Sequence, residues 1–307
     1  MSDAQVLEQV IGFDSARTRL LGILSRPAEV APPATDTAVL IVVGGPQYRV
    51  GSHRQFVSLA RALARAGFAT LRFDLTGMGD SEGDKRSFEA AGPDIRSAID
   101  ALSKACPEAL RIVVWGLCDG ASAAMMFATD DRRVAGLIAA NPWARSEASL
   151  ATTRLKHYYV ARLLQREFWA KLVKGGLQWR DSLRALLGSV RDARAPGPTQ
   201  DDDWLAQPFQ TAMARGLAKF RGRLLLILSG NDLTAKEFIE FARSSRAWRG
   251  LLERPTVSRI DLPDADHTFS RREWQRRVET DSIAWLSGLS SAPGHSIAQA
   301  GVARKNP

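Results

Sequence analysis

Cysteine, histidine and lysine are scarce in this sequence. Two cysteines, Cys106 and Cys118, occur in 307 residues, which excludes a disulfide-built scaffold. Long apolar runs are missing as well. Stretches such as Ala38 to Val43 fall far short of the ~20 residues that a membrane-crossing helix needs, so no transmembrane segment is expected. The first residues carry Asp3 and Glu8 and lack a basic stretch leading into an apolar one, so the cytoplasm is the expected location. No internal repeat or long low-complexity tract appears. With 45% hydrophobic and 24% charged residues the composition is that of a folded globular protein, not a disordered one. Lysine is outnumbered by arginine, 8 to 34, and the formal charge is +9. That charge alone does not imply specific nucleic-acid binding, because no helix-turn-helix, zinc or aromatic-sheet motif accompanies it.

What is present is a rhythm of buried strands and amphipathic helices. Two strands around a turn at Asp14 and Ser15 are expected between Val6 and Pro27. Largely apolar runs at Thr37–Val43, Ala69–Phe73, Arg111–Trp115, Val134–Ala140 and Leu224–Leu228 predict strands covered on both faces, and a further strand is expected at Thr256–Asp261. Helices are expected over Arg54–Ala66, Pro93–Lys104, Ala121–Ala128, Lys236–Ala242 and Arg271–Leu286. This alternation predicts an α/β fold with a mostly parallel central sheet and helices on both faces. The rhythm breaks between residues 141 and 221, where helical segments such as Leu155–Val173 and Ser182–Arg191 are expected and no strand is. Three parts follow: a core over 1–140 and 222–287, a helical cap insertion over 141–221, and a flexible tail over 288–307.

The chemistry is read at Gly116-Leu117-Cys118-Asp119-Gly120, where a buried strand runs directly into a small-residue helix. A chain reversal this sharp needs glycine two residues to either side of a strained central residue, the pattern of a nucleophile elbow. Cys118 occupies the nucleophile position at the C-terminal edge of the sheet, above a helix N-terminus that favours a thiolate. Cys106 ends a helix before Pro107 and reads as structural. Of the four histidines, His267 falls in the loop after the last strand, where a general base is required. The candidate acid is Asp232, after the preceding strand. Asp261, Asp264 and Asp266 are rivals that lie too near His267 in sequence to orient its ring in the usual manner. Two oxyanion donors are expected, the backbone N–H of Asp119 and that of Gly45, with Gln47 as the alternative because Pro46 has no N–H. The Asp119 carboxylate would oppose thiolate formation if it faced the sulfur, so it is expected to point away.

These pieces resemble the α/β-hydrolase superfamily over roughly residues 5 to 287. Gly22-Ile23-Leu24-Ser25-Arg26-Pro27 and Asp74-Leu75-Thr76-Gly77-Met78-Gly79-Asp80-Ser81-Glu82-Gly83 add to the likeness. Three segments resemble the exosortase A system-associated hydrolases of the first type more narrowly. They are Val43-Gly44-Gly45-Pro46-Gln47-Tyr48-Arg49-Val50-Gly51-Ser52-His53-Arg54-Gln55-Phe56, Gly116 to Ala124, and Leu155-Lys156-His157-Tyr158-Tyr159. That resemblance implies a bacterial cytoplasmic protein encoded near exopolysaccharide-synthesis and exosortase functions. Cysteine at the elbow is also a feature of dienelactone hydrolases, which lack so long an insertion.

A Cys–His–Asp triad predicts cleavage of an ester or thioester through an acyl-thioenzyme, with no cofactor and no metal. The alternatives are acyl transfer on the same triad and a non-catalytic hydrolase-fold binding protein. Residues 141–221 hold 14 Arg plus Lys against 7 Asp plus Glu, so most of the net charge lies in the expected cap. A basic cap fits an anionic acyl substrate, small or carrier-linked, as readily as it fits a merely arginine-rich surface. Trp143, His157, Tyr158 and Tyr159 are the candidate substrate-binding residues.

Overall fold

The computed structural model describes residues 5–28, 35–45, 47–144 and 208–290. Two long strands, β1 (Val6–Ser15) and β2 (Thr18–Pro27), form an antiparallel hairpin. The turn falls at Ala16 and Arg17, two residues beyond the expected Asp14 and Ser15. Ala16 takes a positive φ of 55°, and Ser15 is buried, its hydroxyl donating to Asp94 at 2.6 Å. The remaining strands are β3 (Thr37–Val42), β4 (Thr70–Phe73), β5 (Arg111–Leu117), β6 (Val134–Ala140), β7 (Arg223–Ser229) and β8 (Val257–Leu262). They join in one eight-stranded sheet of order β1-β2-β4-β3-β5-β6-β7-β8. All pairings from β4 to β8 are parallel, while β2 meets β4 antiparallel.

Alternation within each central strand divides its side chains between two cores. In β3, Leu40 and Val42 face one core while Val39 and Ile41 face the other. In β7, Leu224, Leu226 and Leu228 oppose Leu225 and Ile227. The first core is closed by α2 (Gly92–Ala105), α3 (Asp119–Phe127), α4 (Pro208–Lys219) and α5 (Leu233–Ser244). The second is closed by α1 (Gln55–Arg65) and α6 (Arg272–Ser290). Helix α1 shows how the pattern works: Phe56, Leu59, Ala60, Leu63 and Ala64 recur at helical spacing and are all buried. Apolar strands buried on both faces explain why the parallel part of the sheet was readable as continuous runs.

The element boundaries differ from expectation in two informative places. Helix α4 lies inside the span assigned to the cap, yet Met213, Ala214 and Leu217 are buried in the first core beside α3. This stretch of the expected insertion packs as part of the core. Helix α6 runs on to Ser290, past the expected start of the tail at 288, with Leu289 buried in the second core. The helices expected over Leu155–Val173 and Ser182–Arg191, and the rest of the tail, lie outside the described residues.

The sheet brings two loops against the start of α3. A Cβ added at Gly116 would stand 2.6 Å from the Ala121 nitrogen, and one added at Gly120 would stand 2.6 Å from the Val42 oxygen. Neither neighbour is a side chain that can swing aside, since both atoms are backbone. Gly120→Ala is therefore expected to cost about 2 kcal/mol and to lower the melting temperature by roughly 4–8 °C in a thermal scan.

Candidate active site

Cys118 joins β5 to α3 with φ 59° and ψ −126°, a conformation that costs a non-glycine residue about 1–3 kcal/mol. The neighbours hold it there. Its N–H donates to the Ala140 carbonyl on β6 at 3.0 Å, and its carbonyl accepts from Ala121 at 3.1 Å and Trp143 at 3.2 Å. Ser122 adds a clasp, its hydroxyl donating to the Trp143 carbonyl at 2.7 Å and accepting the Trp143 N–H at 2.9 Å. Ala121, Ala123 and Ala124 are buried, so the first turns of α3 lie directly on the sheet.

The loops after β7 and β8 bring the other two candidates to this point. Asp232 caps α5 by accepting from Thr234 at 3.0 Å and Ala235 at 3.2 Å, which leaves its carboxylate fixed and only 6% exposed. The same carboxylate meets His267 Nδ1 at 2.7 Å. Two of the rivals are otherwise engaged. Asp261 pairs with Arg259, while Asp266 closes its own turn on Thr268 and Ser270. Hydrogen bonds from Ser270 and Thr268 outweigh partial burial and hold the Asp266 carboxyl below the usual range.

With Nδ1 given to Asp232, the ring of His267 also feels the Cys118 side chain, which favours its protonated form. Burial pushes the His267 pKa down, but the hydrogen bonds and charges of Asp232 and Cys118 more than reverse this, raising it to about 10. The ring is thus poised to hold a proton beside sulfur. Cys106 contrasts with this: it is fully buried, and desolvation pushes its thiol up to about 11.

Two residues absent from the sequence-based site hold the loops together. Asn141, at the end of β6 with φ 43°, donates through Nδ2 to Ser229 Oγ at 2.9 Å and to the His267 carbonyl at 3.0 Å. Its Oδ1 accepts the Ser229 N–H at 2.8 Å, and Ser229 Oγ donates to the Asp266 carbonyl at 2.9 Å. Asn231 completes the seam, its N–H donating to the Ala265 carbonyl at 3.0 Å. The available signal was an asparagine directly after a buried strand, a residue type that tolerates positive φ and satisfies backbone groups at once. On the far side of His267, Phe269 is buried in the second core, so the loop is pinned from both ends.

The glycine loop after β3 faces the elbow. Its position is set by Arg49, whose N–H donates to Asp74 at 2.6 Å and whose guanidinium pairs with Asp74 and with Asp80. Gln47, the alternative oxyanion donor, uses its side-chain oxygen to accept the Ser52 N–H at 3.1 Å, closing the loop on itself. Gly45 N–H, the first choice, donates to the carboxylate of Asp119. The N–H groups of Gly120 and Asp119 lie near enough to favour its charged form. The Asp119 side chain, expected merely to avoid the sulfur, is drawn into the loop by these donors. Burial raises its carboxyl above the usual range, against the opposing pull of the three N–H groups and of His267. Trp143 stands beside the elbow, whereas His157, Tyr158 and Tyr159 lie outside the described residues.

This sheet order, the sharp junction between β5 and α3, and the Asp232–His267 pair after β7 and β8 decide the fold. The chain has the α/β-hydrolase fold. A family model described as serine aminopeptidase, S33, matches residues 35–187, just under half of the chain. The esterase Pf2001 of Pyrococcus furiosus has a TM-score of 0.61 at 17% identity, covering 94% of this chain and 95% of its own. An esterase of Rhizomucor miehei gives 0.60 at 16%, covering 93% and 84%. Est1E of Butyrivibrio proteoclasticus, solved with ferulic acid bound, gives 0.58 at 15%, covering 91% and 98%. No curated protein matches the sequence. Among the described residues, this hydrolase-fold chain has no cluster of His, Cys, Asp and Glu able to hold a metal, and no helix long and apolar enough to cross a membrane.

Two outcomes follow from this geometry. A histidine raised in the folded state stabilises the fold fully below its unfolded pKa, near 6.5, and loses that contribution as pH rises toward about 10. Thermal melts between pH 6 and pH 10 are expected to fall more steeply for the parent than for His267→Gln. Asn141→Ala removes three buried hydrogen bonds and is expected to cost about 2–3 kcal/mol in urea unfolding.

Proposed function

We propose that the protein is a hydrolase that cleaves activated esters or thioesters through an acyl-thioenzyme on Cys118. The observation that carries this reading is the line Asp232–His267–Cys118, in which a buried, N-capping carboxylate orients an imidazole against sulfur at a strained strand–helix junction. Asp232 fixes the tautomer and stabilises the imidazolium without taking the proton. His267 accepts the thiol proton, and the sulfur attacks the carbonyl carbon, forming an S–C bond as the carbonyl electron pair moves to oxygen. The pair returns, the bond to the leaving group breaks, and His267 returns the proton to the departing atom. Water, deprotonated by the same ring, then attacks the acyl carbon and releases the acid and the thiol.

A thiolate is itself a good leaving group, so the tetrahedral intermediate collapses backward unless the substrate's own leaving group departs easily. This favours thioesters and activated esters over amides, and separates this chain from the serine aminopeptidase description of the matching family model. The arginine-rich composition of residues 141–221 supports an anionic or carrier-linked acyl donor. The resemblance of Val43–Phe56, Gly116–Ala124 and Leu155–Tyr159 to the exosortase-associated hydrolases supports a cytoplasmic role beside exopolysaccharide synthesis.

Intact-mass analysis after exposure to acyl thioesters and aryl esters tests the reading. An acyl adduct is expected in the parent and is expected to vanish in Cys118→Ala. Steady-state turnover should fall at least about 10³-fold in that variant. An adduct that persists in Cys118→Ala would place the nucleophile elsewhere.

A further inference from the structure

The donors that an acyl-transfer site needs for its oxyanion are occupied by the protein's own carboxylate. Gly45 N–H, on the loop after β3, and the Asp119 N–H, at the start of α3, are the two groups expected to serve a developing charge on a carbonyl oxygen. Gly45 N–H donates to the Asp119 side chain, whose charged form the Asp119 and Gly120 N–H groups also favour. The carboxylate is closely held. An added Cβ on Gly44 would collide with the Leu117 carbonyl oxygen and with this carboxylate, so glycine is needed here for both. A substrate carbonyl that entered the same space would meet a carboxyl group rather than a free Gly45 N–H.

We propose that Asp119 is an internal competitor for the oxyanion hole, so that acyl transfer to Cys118 proceeds only when an acyl donor displaces its carboxylate. The inference rests on the Cys118 reading and adds a selectivity to it. Acyl donors with contacts beyond the reacting carbon have binding energy to spend on moving Asp119; small donors do not. The carboxylate fills the site in their absence and keeps the strained thiol from being acylated indiscriminately. The charge has a nearby partner, since His267 acts on it across the site. A side chain turned away from Gly45 toward the imidazolium therefore loses less than one turned into an apolar surrounding.

Two reactions at the same sulfur separate this role from others. Alkylation by iodoacetamide is a displacement at saturated carbon that needs thiolate but no oxyanion donors. Acylation by p-nitrophenyl acetate needs both. Loss of a single oxyanion donor costs about 10²–10³-fold in rate, which sets the scale for freeing these donors. In Asp119→Ala, the single-turnover rate of Cys118 acylation, read as p-nitrophenolate release and as mass adduct, is expected to rise at least about 10-fold. The alkylation rate is expected to stay within about 3-fold of the parent, the range of a modest change in thiolate fraction. Asp119→Asn keeps the shape and an oxygen for Gly45 N–H but removes the charge, and an intermediate gain is expected. Acylation that is no faster, or slower, with alkylation preserved would overturn the proposal and make Asp119 a mere anchor for the glycine loop. Equal gains in both reactions would also overturn it, placing the effect on the thiolate. If parent and variants alike gain no acyl group at Cys118 while alkylation proceeds, the acyl-thioenzyme reading itself fails.

Discussion

The reversal of the chain at Cys118 is the constraint around which the molecule is arranged. An L-residue with φ 59° does not hold that conformation on its own account. It is held because the strand before it is buried in the middle of the sheet and the helix after it rests on alanines, with backbone hydrogen bonds from β6 and from Trp143 closing around it. The two flanking glycines are needed for the same reason. Their absent side chains let Gly120 approach the Val42 carbonyl and Gly116 approach the first turn of α3. The sulfur is left at the sheet edge where three other loops converge.

Those loops are fastened to each other as well as to the sheet. Asn141 reaches from β6 to the Ser229 backbone and to the His267 carbonyl, so the loops after β7 and β8 are tied to each other. Arg49 and Asp74 do the same for the glycine loop, where an ion pair with one partner fully buried binds β3's exit to β4's exit. Charged partners of this kind are costly to separate, because either one alone would be left desolvated. The rigidity so obtained keeps the Asp232–His267 contact and the N–H groups of the glycine loop in register with Cys118. It also gives Asp119 a defined place, between the donors rather than loose at the surface.

Much of the fold was legible in the residues because parallel strands buried on both faces must be continuously apolar, and helices covering them must be apolar on one face. Thr37–Val42, Arg223–Ser229 and the face of α1 follow from that requirement alone. The hairpin turn and the ends of α4 and α6 were less legible. Ser15 reads as a turn residue until its bond to Asp94 is seen, and α4 reads as part of an insertion until its packing on α3 is seen. Local pattern reports what an element wants to bury, and not which surface receives it.

The same division holds at the site. The sequence by itself determined the residue types and their order: Cys118 between glycines, a glycine turn after the first parallel strand, an aspartate and then a histidine after the last two strands. These are properties of single loops and of chain order, and both are written in one dimension. That Asp232, and not its rivals, hydrogen-bonds the His267 ring was decided by the tertiary structure, because the cap of α5 aims its carboxylate there. Asn141's clasp and the turning of the Asp119 carboxylate into Gly45 N–H were decided there too. Each depends on the direction of a side chain relative to a backbone distant in sequence, and that direction exists only once the sheet has brought the loops together.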